Sequence, residues 1–150
     1  MTTKKEVTEF LAQKKLAVVG VSRNPQKFGN SVYRELKAKG YQVFPVNPKA
    51  ETVEGDRCYP SLEALPEAVG GAVVVVPRDE VDNVVKDAVK AGIKRVWIQQ
   101  SSETKAAIQY CEDNGVSVIH NECVMMFAEP AAFFHKFHRF VWGVAGKLPQ

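Results

Sequence analysis

Ala72-Val73-Val74-Val75-Val76 is an unbroken apolar run, four of its five residues β-branched, with no alternation of polar and apolar positions. A strand with one wet face alternates, so this run has to be covered on both faces, as a strand of a parallel sheet is. Leu16-Ala17-Val18-Val19-Gly20-Val21 has the same character, and Tyr41-Gln42-Val43-Phe44-Pro45-Val46, Val96-Trp97-Ile98 and Val116-Ser117-Val118-Ile119 supply three further strand-length segments. The intervals read as helices. Val32, Tyr33 and Leu36 share one face within 29–39, with Gly40 as the stop, and Val81, Val84, Val85 and Ala88 share one within 79–91. Residues 103–114 form another helix, expected to be capped by Ser101 or Ser102 and stopped by Gly115. Thr3-Lys4-Lys5-Glu6 has the form of a capping box, followed by Val7, Phe10 and Leu11 and by Lys14 and Lys15 in an expected last turn. Parallel neighbours need crossover connections, and these segments supply them. The predicted fold is a Rossmann-like three-layer α/β domain: a mainly parallel five-stranded sheet with helices on both faces.

With 150 residues, one such domain over 1–130 and a tail over 131–150 account for the chain. Residues 51–58 are too polar for a central strand, and 61–66 read as one helical turn, so 48–71 are expected to be an excursion covering one face. Lys136, Arg139 and Lys147 follow residue 130 with no acid among them. Of 20 basic and 17 acidic side chains in all, the body therefore holds 17 of each. A neutral body argues against a nucleic-acid surface, which needs a basic face. No apolar run approaches the roughly 20 residues that cross a bilayer, and no secretory signal is evident, so the expected location is the cytoplasm. Cys58, Cys111 and Cys123 are odd in number, with no CxxC pair and no His at ligand spacing, which supports neither a disulfide framework nor a metal site.

Ligands of open parallel sheets lie beyond the carboxyl ends of the strands where the strand order reverses, which points to the loops at 20–29 and 99–102, after the first and fourth strands. The first leaves its strand at Gly20 and opens a helix at Gly29, with Arg23 and Lys27 inside it. Backbone amides and the positive end of a helix converge there, making an anion site. Ser22 stands where the dinucleotide fingerprint GxGxxG has its second glycine, so the loop is a phosphate contact of another shape. An NAD domain places an Asp or Glu at the end of the second strand to hold the ribose 2′-OH. This chain has Asn47-Pro48-Lys49, and Lys49 attracts a phosphorylated ribose where a carboxylate repels it. On the residues alone the ligand is NADP or coenzyme A.

These segments resemble the small stand-alone CoA-binding proteins, relatives of the N-terminal CoA-binding domain of the succinyl-CoA synthetase alpha subunit. The resemblance is carried by Ala17-Val18-Val19-Gly20-Val21-Ser22 with Lys27 and Gly29, and by Gly40 through Lys49 with its Pro45-Val46-Asn47-Pro48. Tyr59-Pro60-Ser61-Leu62, Val75-Val76-Pro77, Gly92 through Gln99 and Cys123-Val124-Met125-Met126 extend it over about residues 5–127. It implies a nucleotide-binding site for CoA or an acyl-CoA. Carried over by position, Gly20, Ser22 and Lys27 face the pyrophosphate and Lys49 approaches the phosphorylated ribose. Val76 and Pro77 line the adenine, and Gln99 and Ser101 approach the pantetheine. Gln100-Ser101-Ser102 departs from the Pro-Gly-Ser common in the family.

His120, His135 and His138 have no evident nucleophile or acid partner in sequence, and Cys123 has no neighbouring cation to lower its pKa. The synthetase also needs a second domain carrying its phosphorylated histidine, so the resemblance implies CoA binding without ligase activity. The tail sets Phe133, Phe137, Phe140 and Val144 on one helical stripe, expected to pack on the domain or on a second copy in a homo-oligomer, and not on a membrane. Two other functions stay open: an NADP-dependent oxidoreductase, and an interaction protein with a vestigial nucleotide pocket.

Overall fold

The computed structural model describes residues 4–99 and 102–122. Helix α1 (Lys4–Leu11) leads into β1 (Lys15–Val19), α2 (Phe28–Ala38) and β2 (Gln42–Val46). A hairpin of β3 (Thr52–Val53) and β4 (Asp56–Arg57) follows, then β5 (Gly71–Val74), α3 (Arg78–Lys90), β6 (Arg95–Gln99), α4 (Lys105–Asp113) and β7 (Ser117–Glu122). The main sheet is five-stranded and wholly parallel, in the order β2-β1-β5-β6-β7. Each buried strand divides its residues between two cores. Leu16 and Val18 of β1 join Val7 and Phe10 of α1, Val32, Tyr33 and Leu36 of α2, and Trp97 on one side. Ala17 and Val19 join Val81, Val85 and Ala88 of α3 and Ala107 and Cys111 of α4 on the other. The unalternating runs are thus covered on both faces. At roughly 1.5–3 kcal/mol for each large side chain removed from water, these two layers supply the main drive to fold.

Several expectations need correction. Helix α1 ends at Leu11, so Lys14 lies past the helix and Lys15 already belongs to β1. The α4 cap is Thr104, whose hydroxyl accepts from the Ala107 amide at 3.0 Å, in place of Ser101 or Ser102. The polar segment at 51–58 forms the antiparallel β3–β4 hairpin, whose Val53 and Cys58 are buried beside Val32, Tyr33 and Leu36. The order also moves the point of reversal. The chain steps outward from β1 to β2, then returns to place β5 on the other side of β1. The loops flanking the switch therefore follow β1 and β5, the first and third long strands, and the fourth strand, β6, is one place further out. Residues Ser101, Cys123 and the tail of 131–150 lie outside the described residues.

Candidate functional site: a cleft at the carboxyl edge

A cleft of about 1100 Å³ opens at the carboxyl ends of the parallel strands. Its apolar floor is built from strand ends, among them Val19 of β1, Val46 of β2 and the Val75-Val76-Pro77 segment after β5. Gly20, Ser22, Lys27 and Gly29 line it from the first loop, and Asn47, Pro48 and Lys49 from the end of β2. Gln99, buried at the end of β6, completes the group. Ten of the residues singled out in the sequence, from four separate segments, face one space.

The first loop depends on its two glycines for close approach. Gly20 has φ +113°, and a Cβ there would stand 1.9 Å from the Val75 carbonyl oxygen. At Gly29 a Cβ would stand 2.2 Å from the Gly20 oxygen. The turn out of β1, the start of α2 and the segment after β5 are thus stacked backbone to backbone, with no room for a methyl group. Between the glycines, the Ser22 hydroxyl accepts from the Asn24 amide at 3.0 Å and the Asn24 side chain accepts from the Gln26 amide at 3.0 Å. These are local turns that hold a polar segment in one shape. Asn47 ties β2 to the same loop: its Nδ2 donates to the Val21 oxygen at 2.9 Å, and its Oδ1 accepts from the Lys49 amide at 2.8 Å.

Two helices begin at the cleft, and their electrostatics differ. The N-cap of α2 is Lys27, which makes no side-chain cap, and the first turn of α2 has no acid. The Asn30 amide bonds back to the Lys27 oxygen at 3.1 Å, and the positive end of the helix is met by neither a side-chain cap nor an acid, beside exposed Lys27 and Lys49. Helix α3 also starts without a side-chain cap, at Pro77, but Asp79 and Glu80 occupy its first turn. Anions favour the α2 end. Glu80, Asn83, Val84 and Asp87 line the cleft from α3 at i, i+3, i+4 and i+7, a stripe whose helical period is visible in the sequence although it was not singled out there. Phe28 and Ser102, from the two loops to which the sequence points, and Pro60 and Ser61 also line it, although the sequence assigns none of the four a role. Phe28, which lines the cleft, is 47% exposed, the one large hydrophobic side chain exposed among the described residues.

A second layer of residues supports the loop from behind. Asn30 is fully buried; its Oδ1 accepts from the Ser22 amide at 2.7 Å, and its Nδ2 donates to the Ser22 oxygen at 2.7 Å and to Glu54 Oε2 at 2.8 Å. The signal in the sequence was a polar residue on the inward face of α2. Nearby, the Tyr33 hydroxyl and Lys37 Nζ both donate to Asp56 Oδ2, at 2.5 Å each. The Lys37 and Tyr33 hydrogen bonds hold the Asp56 carboxyl below its ordinary value, and burial with the Asp56 bond pushes the Tyr33 hydroxyl well above its own. Burial lifts the Cys58 thiol, and lifts the Cys111 thiol to about 11. Among the described residues no His, Cys, Asp and Glu side chains gather as a metal site, and no helix is long and apolar enough to cross a membrane.

A parallel α/β sheet with a cleft beside its switch point defines a Rossmann-like fold, and comparison with known proteins shows the family. The chain belongs to the CoA binding domain family, which it matches over residues 14–129. It is 30% identical over 126 residues to the alpha subunit of the ADP-forming acetate–CoA ligase II of Pyrococcus furiosus, covering 77% of this chain and 28% of that subunit. The chain thus spans little more than a quarter of that relative's length. A conserved hypothetical protein from Pyrococcus furiosus has a similar structure, with a TM-score of 0.72 and 40% identity over 75% of this chain and 97% of that one. The dinucleotide-forming acetyl-coenzyme A synthetase 1 of Ca. Korarchaeum cryptofilum, in complex with phosphate and ADP, superposes with a TM-score of 0.67 and 29% identity, over 79% of this chain and 29% of that one.

Proposed function

We propose that this chain binds CoA or an acyl-CoA in the cleft at the carboxyl edge and acts as a binding module with no ligase chemistry of its own. The observation that carries the reading is the convergence of the first loop, Lys49, Val76-Pro77 and Gln99 on one space of about 1100 Å³. In this reading the pyrophosphate sits against the open start of α2 with Gly20, Ser22, Lys27 and Gly29, where amides and a helix dipole meet a negative charge. Lys49, carried on the Asn47-Pro48 turn, meets the phosphate on the ribose. Val76 and Pro77 give the adenine an apolar wall, and the pantetheine runs toward Gln99. In this reading CoA is a ligand whose thiol or thioester end is handed on or sensed, rather than a resident cofactor.

Calorimetric titration with CoA, dephospho-CoA, NADP and NAD tests it. CoA is expected to bind tightest, dephospho-CoA more weakly through loss of the Lys49 contact, and NAD not at all. NADP binding without CoA binding would turn the reading to the oxidoreductase, and equal affinity for CoA and dephospho-CoA would remove Lys49 from the site. Incubation with acetate, CoA and ATP is expected to yield no acetyl-CoA.

A further inference from the structure

The side-chain amide of Asn30 has two ends, and the structure leaves no choice in how they are placed. Glu54 carries a carboxylate, which only accepts, so the Asn30 atom facing it must be the NH2 group. The oxygen then faces the Ser22 amide, and the second N–H reaches the Ser22 carbonyl. Both backbone polar groups of Ser22 are consumed by one buried side chain, which fixes the peptide plane on each side of that residue. Ser22 is also where the turns through Asn24 and Gln26 begin. The orientation of the loop at the start of α2 is therefore set from Asn30.

Asn30 is in turn held from the hairpin. Glu54 lies at the hairpin tip in the left-handed region, φ +52°, and its Oε2 accepts from Asn30 Nδ2 and from Arg34 Nη1 at 2.7 Å. A residue other than glycine or asparagine is uncommon in that conformation, so Glu54 occupies the hairpin tip against a backbone preference. Neither Asn30 nor Glu54 lines the cleft.

We propose that Asn30 and Glu54 are positioning residues: the hairpin sets the geometry of the first loop, through Asn30, for the phosphates of the ligand. This rests on the CoA reading above. It gives the β3–β4 hairpin a part in ligand affinity without any contact to the ligand. Three variants of the full chain test it by calorimetric titration with CoA, well below their melting temperatures. Glu54→Gln keeps one oxygen at the same reach and is expected to bind within about twofold of the parent. Glu54→Asn suits the left-handed backbone better, yet its shorter side chain falls short of Asn30; it is expected to remain folded and to bind about tenfold more weakly. Asn30→Asp removes the donor to the Ser22 oxygen and sets two carboxylates together, with at least the same loss. If Asn30→Asp does not fold, the two Glu54 variants decide. Equal affinity in Glu54→Asn and the parent overturns the proposal, as does an equal loss in Glu54→Gln, because loss of the Arg34 ion pair alone then explains the effect. A parent chain that does not bind CoA overturns the underlying reading instead.

Discussion

Within the first loop, neighbouring residues have separable duties. A methyl group at Gly20 meets the Val75 carbonyl oxygen and also has to adopt φ +113°, so Gly20→Ala is expected to lower stability by at least about 2 kcal/mol. Urea denaturation measures this directly, and an unchanged midpoint would contradict the close stacking. Lys27 is exposed and makes no side-chain cap, so Lys27→Ala leaves the fold alone. Its expected effect is on CoA, whose dissociation constant should rise about tenfold with loss of one charge-assisted contact. Wild-type affinity in that variant would send the phosphates elsewhere. The glycines, Lys27 and Lys49 were legible because their types are chemically unusual where they stand. Asn30 was not, because what marks it is the company it keeps: its three partners come from positions 22 and 54, and no local spacing predicts that meeting.

The hairpin is the element that sequence periodicity passed over. Its strands have two residues each, too few to show alternation, and its turn is Glu54-Gly55 in place of the Asn-Gly or Asp-Gly that announces a two-residue hairpin. What fixes it is long-range: Val53 and Cys58 enter the core beside α2, while Asp56 takes hydrogen bonds from Tyr33 and Lys37. That pairing has a pH signature. Asp56 titrates below its unfolded value of 3.8, so its contribution is complete above that value and is lost as pH falls through the depressed one. Tyr33 titrates above its unfolded value of 10.0, so its contribution is complete below pH 10 and is lost as pH rises beyond it. Thermal melts across pH should show both limbs. Tyr33→Phe is expected to flatten the alkaline limb relative to the parent and Asp56→Asn the acid limb. Limbs of unchanged slope in both variants would mean that the pair does not stabilise the folded state.

At the scale of the molecule, the strands were legible and their order was not. Runs such as 72–76 declare burial on both faces, but a right-handed crossover places the next strand on whichever side its helix packs, and local pattern does not say which. The sequence pattern points to a switch beside the fourth strand, whereas packing puts it between β1 and β5. That order gathers segments near positions 20, 47, 76 and 99 into one cleft, so the proposed CoA affinity belongs to the folded state and to no single segment. Anything that binds only the folded chain stabilises it by mass action, about 2.7 kcal/mol at a hundred times its dissociation constant. For a domain of this size that is roughly 5–10 °C in melting temperature. CoA is expected to produce such a shift and to increase it with the logarithm of concentration. Lys49→Glu should melt like the parent without ligand, because Lys49 is exposed, but should lose most of the shift at the same CoA concentration. Dephospho-CoA should bring the parent and the variant closer together, since the phosphate that Lys49 is held to meet is then missing. A melting temperature that stays flat up to millimolar CoA would separate the cleft from CoA altogether.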